Sequence, residues 1–216
     1  MNSFLDKLRA PGYVQVQEEV EVLGFDPDHN HCGLACVRGK VDRTAHGFVV
    51  DSMIVAVIQP EQRRLRGLDQ THIMVETLHK YRVPTWNGRA FAFIESQQVY
   101  PREDEERHVT IAKANDLLRL AHVSGGFHLK MLTEGRNCHV MLPAEWKGQR
   151  PKEVMHQEVK EKYPRTPSFT YAWERTLGWT TSSRKLTELT EAKWGHAMDA
   201  LCLALYGINQ VAIGKA

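Results

Sequence analysis

Apolar residues near the start of the chain come in three runs, 20–26 (VEVLGFD), 32–38 (CGLACVR) and 46–58 (HGFVVDSMIVAVI), parted by turns rich in Gly, Asp and Asn. Runs of this length between turn formers predict strands, and connections this short predict an antiparallel meander. The stretch 61–81 places Leu65, Leu68, Ile73, Val75 and Leu78 among many basic side chains, the pattern of an amphipathic helix with a wet, positive face. RAFAFIES, 89–96, is apolar almost throughout and predicts a buried strand.

In the second half, Ile111, Ala114, Leu118, Ala121 and Gly125 recur at helical spacing within 104–132, and Gly125-Gly126 either allows close packing or ends the helix. RNCHVMLP, 136–143, predicts a short strand, and PKEVMHQEVKEKY, 151–163, a helix with proline in its first turn. The closing helix is TEAKWGHAMDALCLALYGINQVA, 190–212. Before it, 164–186 holds two prolines, two tryptophans and many hydroxyl side chains, and predicts a loop-rich insertion. Strands alternating with helices in this order predict an α/β fold, a mixed five-stranded sheet flanked by helices. A single domain over 20–216 is expected, with 1–19 as an N-terminal extension.

Composition narrows the class. Hydrophobic content of 42% and charged content of 25% are those of a globular chain, and no apolar run approaches the length of a membrane span, ~20 residues. The first residues carry early charges and lack the apolar core of a secretory signal. Cys32, Cys36, Cys138 and Cys202 lie in apolar contexts without paired spacing, so buried thiols and a reducing cytoplasm are expected. His29, His31, Cys32 and Cys36 are zinc-ligand types, but their spacing completes no tetrahedron. A net charge of +2 is weakly basic, so affinity for nucleic acid would have to rest on clustered charge.

Three acids sit where burial forbids an unpaired charge. Asp26 ends the first apolar run, Glu95 ends the most apolar one, and Asp199 lies among apolar neighbours in the closing helix. An ionised carboxylate in such a place costs several kcal/mol, at order of magnitude, unless a cation or donors compensate it. Taken singly, each has a plain explanation: Asp26-Pro27-Asp28 opens a turn, Glu95 reaches water from a strand end, and Asp199 faces solvent. Taken together they suggest a cluster. If strands 20–26 and 89–95 lie side by side, their ends bring Asp26 and Glu95 together, and a helix packed across that edge adds Asp199. Like charges that close call for a divalent cation, and oxygen ligands suit Mg²⁺ or Mn²⁺. His196, three residues before Asp199, shares its face of the helix and can serve the same site. Carboxylates holding two such ions are the apparatus for in-line displacement at a phosphodiester, so the expected substrate is nucleic acid.

GFDPDHNHCGLACV, AFIES and GHAMDALCLALYG, in this order, resemble the motifs of the RuvC-type Holliday junction resolvases, within the ribonuclease H-like superfamily. The resemblance spans roughly 20–155 and 190–207. It implies a ribonuclease H-like sheet, with Asp26, Glu95, His196 and Asp199 as the catalytic and metal-binding set. It also implies a basic loop holding DNA phosphates, for which PAEWKGQRPKEV supplies Lys147, Arg150 and Lys152, with Arg102 as a further DNA contact. Two features depart from the family. The aromatic expected three residues after Glu95 is replaced by Gln98, leaving Tyr100 as the base-stacking candidate, and the 164–186 insertion has no counterpart in the short bacterial members. That divergence resembles a phage-encoded relative acting in a host cytoplasm.

The resulting expectation is a homodimeric, Mg²⁺-dependent endonuclease that resolves four-way DNA junctions by paired nicks. Two-fold symmetry of the substrate calls for two symmetry-related sites, and the 104–132 helix is the candidate interface. Rival readings are a nuclease of the same fold acting on flaps or RNA/DNA hybrids, an actin-like ATP-binding domain, and a junction-binding protein without catalysis. The chain is short for the duplicated actin-like architecture and shows no second phosphate loop.

Overall fold

A computed structural model describes residues 18–28, 32–59, 89–96, 111–163, 176–178 and 191–216. Its strands are β1 (Glu18–Asp26), β2 (Cys32–Asp42), β3 (Gly47–Gln59), β4 (Arg89–Glu95), β5 (Asn137–Met141) and β6 (Thr176–Gly178). Its helices are α1 (Ile111–Thr133), α2 (Pro143–Trp146), α3 (Lys152–Lys162) and α4 (Glu191–Ala212). The sheet order is β5-β4-β1-β2-β3-β6. β1, β2 and β3 form the predicted antiparallel meander, while β4 joins β1, and β5 joins β4, in parallel.

β1 is apolar on both faces because both faces are covered. Side chains alternate across a strand, so Val20 and Val22 pack under α4 with Ala200, Leu201 and Ala204. Leu23 and Phe25 point the other way, into a second core with Val123, Phe127 and Met131 of α1. Those three α1 positions, four apart, make one helix face. The Phe25 and Phe127 rings stack with centroids 4.9 Å apart. Each such buried aromatic contributes about 1.5–3 kcal/mol relative to exposure.

α4 lies directly on the sheet backbone. A Cβ on Gly24 would stand 2.1 Å from the Ala200 carbonyl oxygen, and one on Gly33 would stand 1.9 Å from that of His196. Only glycine permits so close an approach. The helix axis is therefore fixed over the ends of β1 and β2.

Three boundaries differ from the sequence expectation. β1 begins at Glu18, inside the predicted extension, because Glu18 pairs with Arg43 and Arg89 at 3.1 Å each. β2 continues past residue 38 to Asp42 through an irregularity at Arg38/Gly39, and Arg38 is neutralised by buried Glu21 at 2.8 Å. Within the predicted loop-rich insertion, Thr176–Gly178 adds a sixth strand beside β3, beyond the five that were expected. The predicted helix at 61–81 and the rest of the insertion lie outside the described residues. All four cysteines are free thiols, and Cys32, Cys36 and Cys202 are buried. No helix among the described residues is long and apolar enough to cross a membrane.

Candidate metal centre

Parallel pairing aligns Phe25 with Ile94, so Asp26 and Glu95 end adjacent strands on the same edge of the sheet. α4, seated on Gly24 and Gly33, brings Asp199 and His196 over that edge. All three carboxylates are buried, at 6–7% exposure. The electrostatics record their proximity. Burial raises the Asp26 pKa, the charge of Asp199 adds to the rise, and the hydrogen bond from His196 opposes it. Burial, then the charge of Asp26, pushes Glu95 up to about 7.

Each acid has a basic partner from another element. His196 Nδ1 stands 2.6 Å from Asp26 Oδ2, and its Nε2 faces Asp28 Oδ2 at 3.8 Å. That hydrogen bond to Asp26 raises the imidazole pKa above its ordinary value. Glu95 Oε2 accepts from the Trp146 indole N–H at 2.9 Å and Oε1 accepts from Lys147 Nζ at 3.2 Å, the ammonium lying 3.0 Å from Oε2 as well. The Lys147 ammonium also lies 4.7 Å from the Trp146 ring centroid, within cation–π range. Asp199 Oδ1 meets His156 Nε2 at 2.9 Å. Burial works to raise the Asp199 pKa, but the His156 hydrogen bond and the charges of Lys147, His156 and Lys152 outweigh it, and the carboxyl is held below its usual value.

The donor set fits a hard divalent cation. Three buried carboxylates from two strands and a helix converge, and two of them, Asp26 and Glu95, are held above their ordinary pKa values, the state that a cation relieves. As the side chains stand, no group of three or more His, Cys, Asp or Glu among the described residues is arranged to hold a metal ion; the acid oxygens meet His196, Lys147 and His156 instead.

The predicted residues divide accordingly. Asp26, Glu95, Asp199 and His196 meet at one sheet edge. Lys147, expected in a phosphate-binding loop, reaches into the acid cluster itself. Arg150 is paired with Glu158 of α3, and Lys152 opens α3 with its Nζ 3.9 Å from where a Cβ on Gly195 would lie. Tyr100 and Arg102 lie outside the described residues. Trp146, His156 and Asp28 were not anticipated. The signals were a tryptophan inside a basic loop, a histidine sharing one helical face with Lys152 and Val159, and a second aspartate two residues after Asp26.

No family model and no curated protein matches the chain. Its fold matches that of Thermus thermophilus RuvC. A structure of that protein in complex with Holliday junction substrate aligns over 91% of this chain and 97% of its own, with a TM-score of 0.55 and 16% identity. A second Thermus thermophilus RuvC structure aligns over 91% and 98%, with a TM-score of 0.50 and 16% identity. The chain therefore has the fold of the RuvC-type resolvases, as its three motifs led one to expect.

Proposed function

We propose that this chain is a divalent-metal-dependent endonuclease cutting branched DNA, four-way junctions foremost, by paired nicks. The carrying observation is the meeting of Asp26, Glu95 and Asp199, which are distant in sequence and buried at one sheet edge. The RuvC fold and the junction substrate of its structural neighbour support the choice of DNA.

In this reading Asp26, Glu95 and Asp199 hold one or two Mg²⁺ or Mn²⁺ ions, with His196 at the rim of the site. The metal supplies a nucleophilic water at neutral pH and charge neutralisation at the scissile phosphate. His196, 29% exposed, is placed to ligate or to take a proton from water. Lys147 balances the acids, and a cation bound there would release its ammonium to a phosphate oxygen. Lys152, exposed at the start of α3, is placed to meet the strand beside the site.

A homodimer accords with α1. Its inner face is core, yet Leu118, Leu129 and Leu132 stand 50–65% exposed, and Leu118, Gly125, Leu129 and Leu132, at seven-, four- and three-residue spacings, trace an outer stripe. The rival reading, a nuclease for flaps or hybrids, shares the metal site, because fold does not set substrate. Relative cleavage of a four-way junction, a flap and an RNA/DNA hybrid at equal concentration separates them. Preference for the junction supports the proposal, and preference for either other substrate overturns it.

A further inference from the structure

A contact between His156 and Asp199 ties a further helix to the acid cluster. His156 lies on α3, and its Nε2 reaches Asp199 Oδ1 across the α3–α4 packing at 2.9 Å. The imidazole is itself largely buried, 14% exposed. Met155 and Val159, at 2% and 0% exposure, fix α3 in the core beside it. A carboxylate only accepts, so the ring nitrogen facing Asp199 carries the proton.

We infer that His156 is a positioning residue, which pins one oxygen of Asp199 so that the other is presented to a divalent cation held with Asp26 and Glu95. The inference rests on the metal reading of those acids. A free carboxylate on a helix rotates about two side-chain bonds, and a fixed donor removes that freedom before the cation arrives. Partners of this kind typically set metal affinity by about 10- to 100-fold. The arrangement mirrors the opposite side of the site, where the Trp146 indole pins Glu95. The two pins differ in support: Trp146 sits on the short helix α2, whereas His156 is carried by the longer α3.

The experiment is Mn²⁺ titration of the full chain, followed by calorimetry and by loss of the free-ion EPR signal. It compares wild type, His156→Ala, His156→Gln and Asp199→Asn, with the melting temperature of each variant recorded without metal. His156→Gln keeps a donor where Nε2 stands and is the variant to rely on if His156→Ala does not fold. The expected result is Mn²⁺ binding weakened about 10- to 100-fold in His156→Ala and largely restored in His156→Gln. Cleavage in His156→Ala should return toward the wild-type rate at saturating Mn²⁺, since the loss is in affinity. Unchanged Mn²⁺ affinity in His156→Ala, even with a lower melting temperature, makes the contact a simple tie between helices and overturns the inference. So does a loss in both His156 variants equal to that of Asp199→Asn, which would make His156 a ligand. Failure of the wild type to bind Mn²⁺ would instead overturn the metal reading itself, and the inference with it.

Discussion

Gly33 of β2 faces the carbonyl of His196 so closely that a Cβ there would stand 1.9 Å from the oxygen. The same contact that seats α4 on the sheet therefore places His196 against Asp26 and carries Asp199 over the strand ends. Backbone cannot yield as a flexible side chain does, so Gly33→Ala must lift the first half of the described helix. The expected cost is about 1–3 kcal/mol of stability, as for other overpacking changes. The expected loss of cleavage is larger in proportion, on the order of 100-fold, because a shift of ~1 Å in a catalytic group suffices for that. Urea unfolding and junction cleavage measured on the same preparation check both. Full activity in a destabilised variant would separate the glycine from the site.

The Glu95 carboxyl gives a pH signature. Its folded pKa is about 7, against an ordinary value of 4.5, so between those values the folded chain binds more protons than the unfolded one. The Glu95 contribution to the stability of the metal-free protein therefore falls as pH rises through that window and is gone above about 7. His196, also raised above its ordinary value, acts in the same direction. Glu95→Gln removes the first contribution and should flatten the fall in melting temperature between pH 5 and 8, measured in EDTA. Metal reverses the trend, since the ligands must be ionised, so Mn²⁺ affinity should climb with pH through the same window. Identical pH profiles for wild type and Glu95→Gln would place the titration elsewhere.

Glu21 is fully buried between Arg136, at 2.6 Å, and Arg38, at 2.8 Å, tying β1 to β2 and to the turn after α1. Removing the acid takes a shared, fully buried counter-charge from two guanidiniums, 10% and 19% exposed, and leaves Arg136 its longer contact with Glu134 at 3.6 Å. Glu21→Ala is expected to cost about 3–5 kcal/mol, the usual result of breaking a buried pair on one side. Chemical denaturation measures it, and a change under 1 kcal/mol, about the value of a surface pair, would mean that water reaches the arginines.

How far the site could be read from sequence follows from where each residue's partner lies. Asp26, Glu95 and Asp199 were visible because a charge inside or at the end of an apolar run contradicts burial unless something compensates it. Lys147 was visible only as one more basic residue in a loop, because its pairing with Glu95 depends on α2 folding back over β4. His156 sits on a helix whose exposed face is charged, and only the α3–α4 packing reveals that it faces inward. The sheet was legible in its apolar runs. Its charged ends were not, since Glu18 looks like part of an extension until Arg43 and Arg89 stand beside it, and the strand 32–38 continues to Asp42 only with Arg38 neutralised by Glu21 of the neighbouring strand. β6 has three residues, too few for any periodicity to register.

The outer stripe of α1 predicts an assembly. Leu118 and Leu129, 58% and 65% exposed, are the positions at which a charge should break a dimer without touching the Val123, Phe127 and Met131 face. Leu118→Glu combined with Leu129→Glu should give a monomer by analytical ultracentrifugation, with unchanged or slightly higher melting temperature. Paired nicking should fall while single nicks persist, because each site is complete within one chain. Dimers that survive both substitutions would move the interface elsewhere.

The central claim is that Asp26, Glu95 and Asp199 hold a divalent cation that cuts branched DNA. The most direct measurement is cleavage of an end-labelled four-way junction beside a linear duplex of the same sequence. It uses Mg²⁺ or EDTA, with wild type and with Asp26→Asn, Glu95→Gln and Asp199→Asn. The account predicts paired nicks in the junction only, only with Mg²⁺ and only by the wild type, while all three variants still shift the junction in a binding gel. Equal cutting of the linear duplex, cutting in EDTA, or wild-type cutting by any one of the three variants would contradict it.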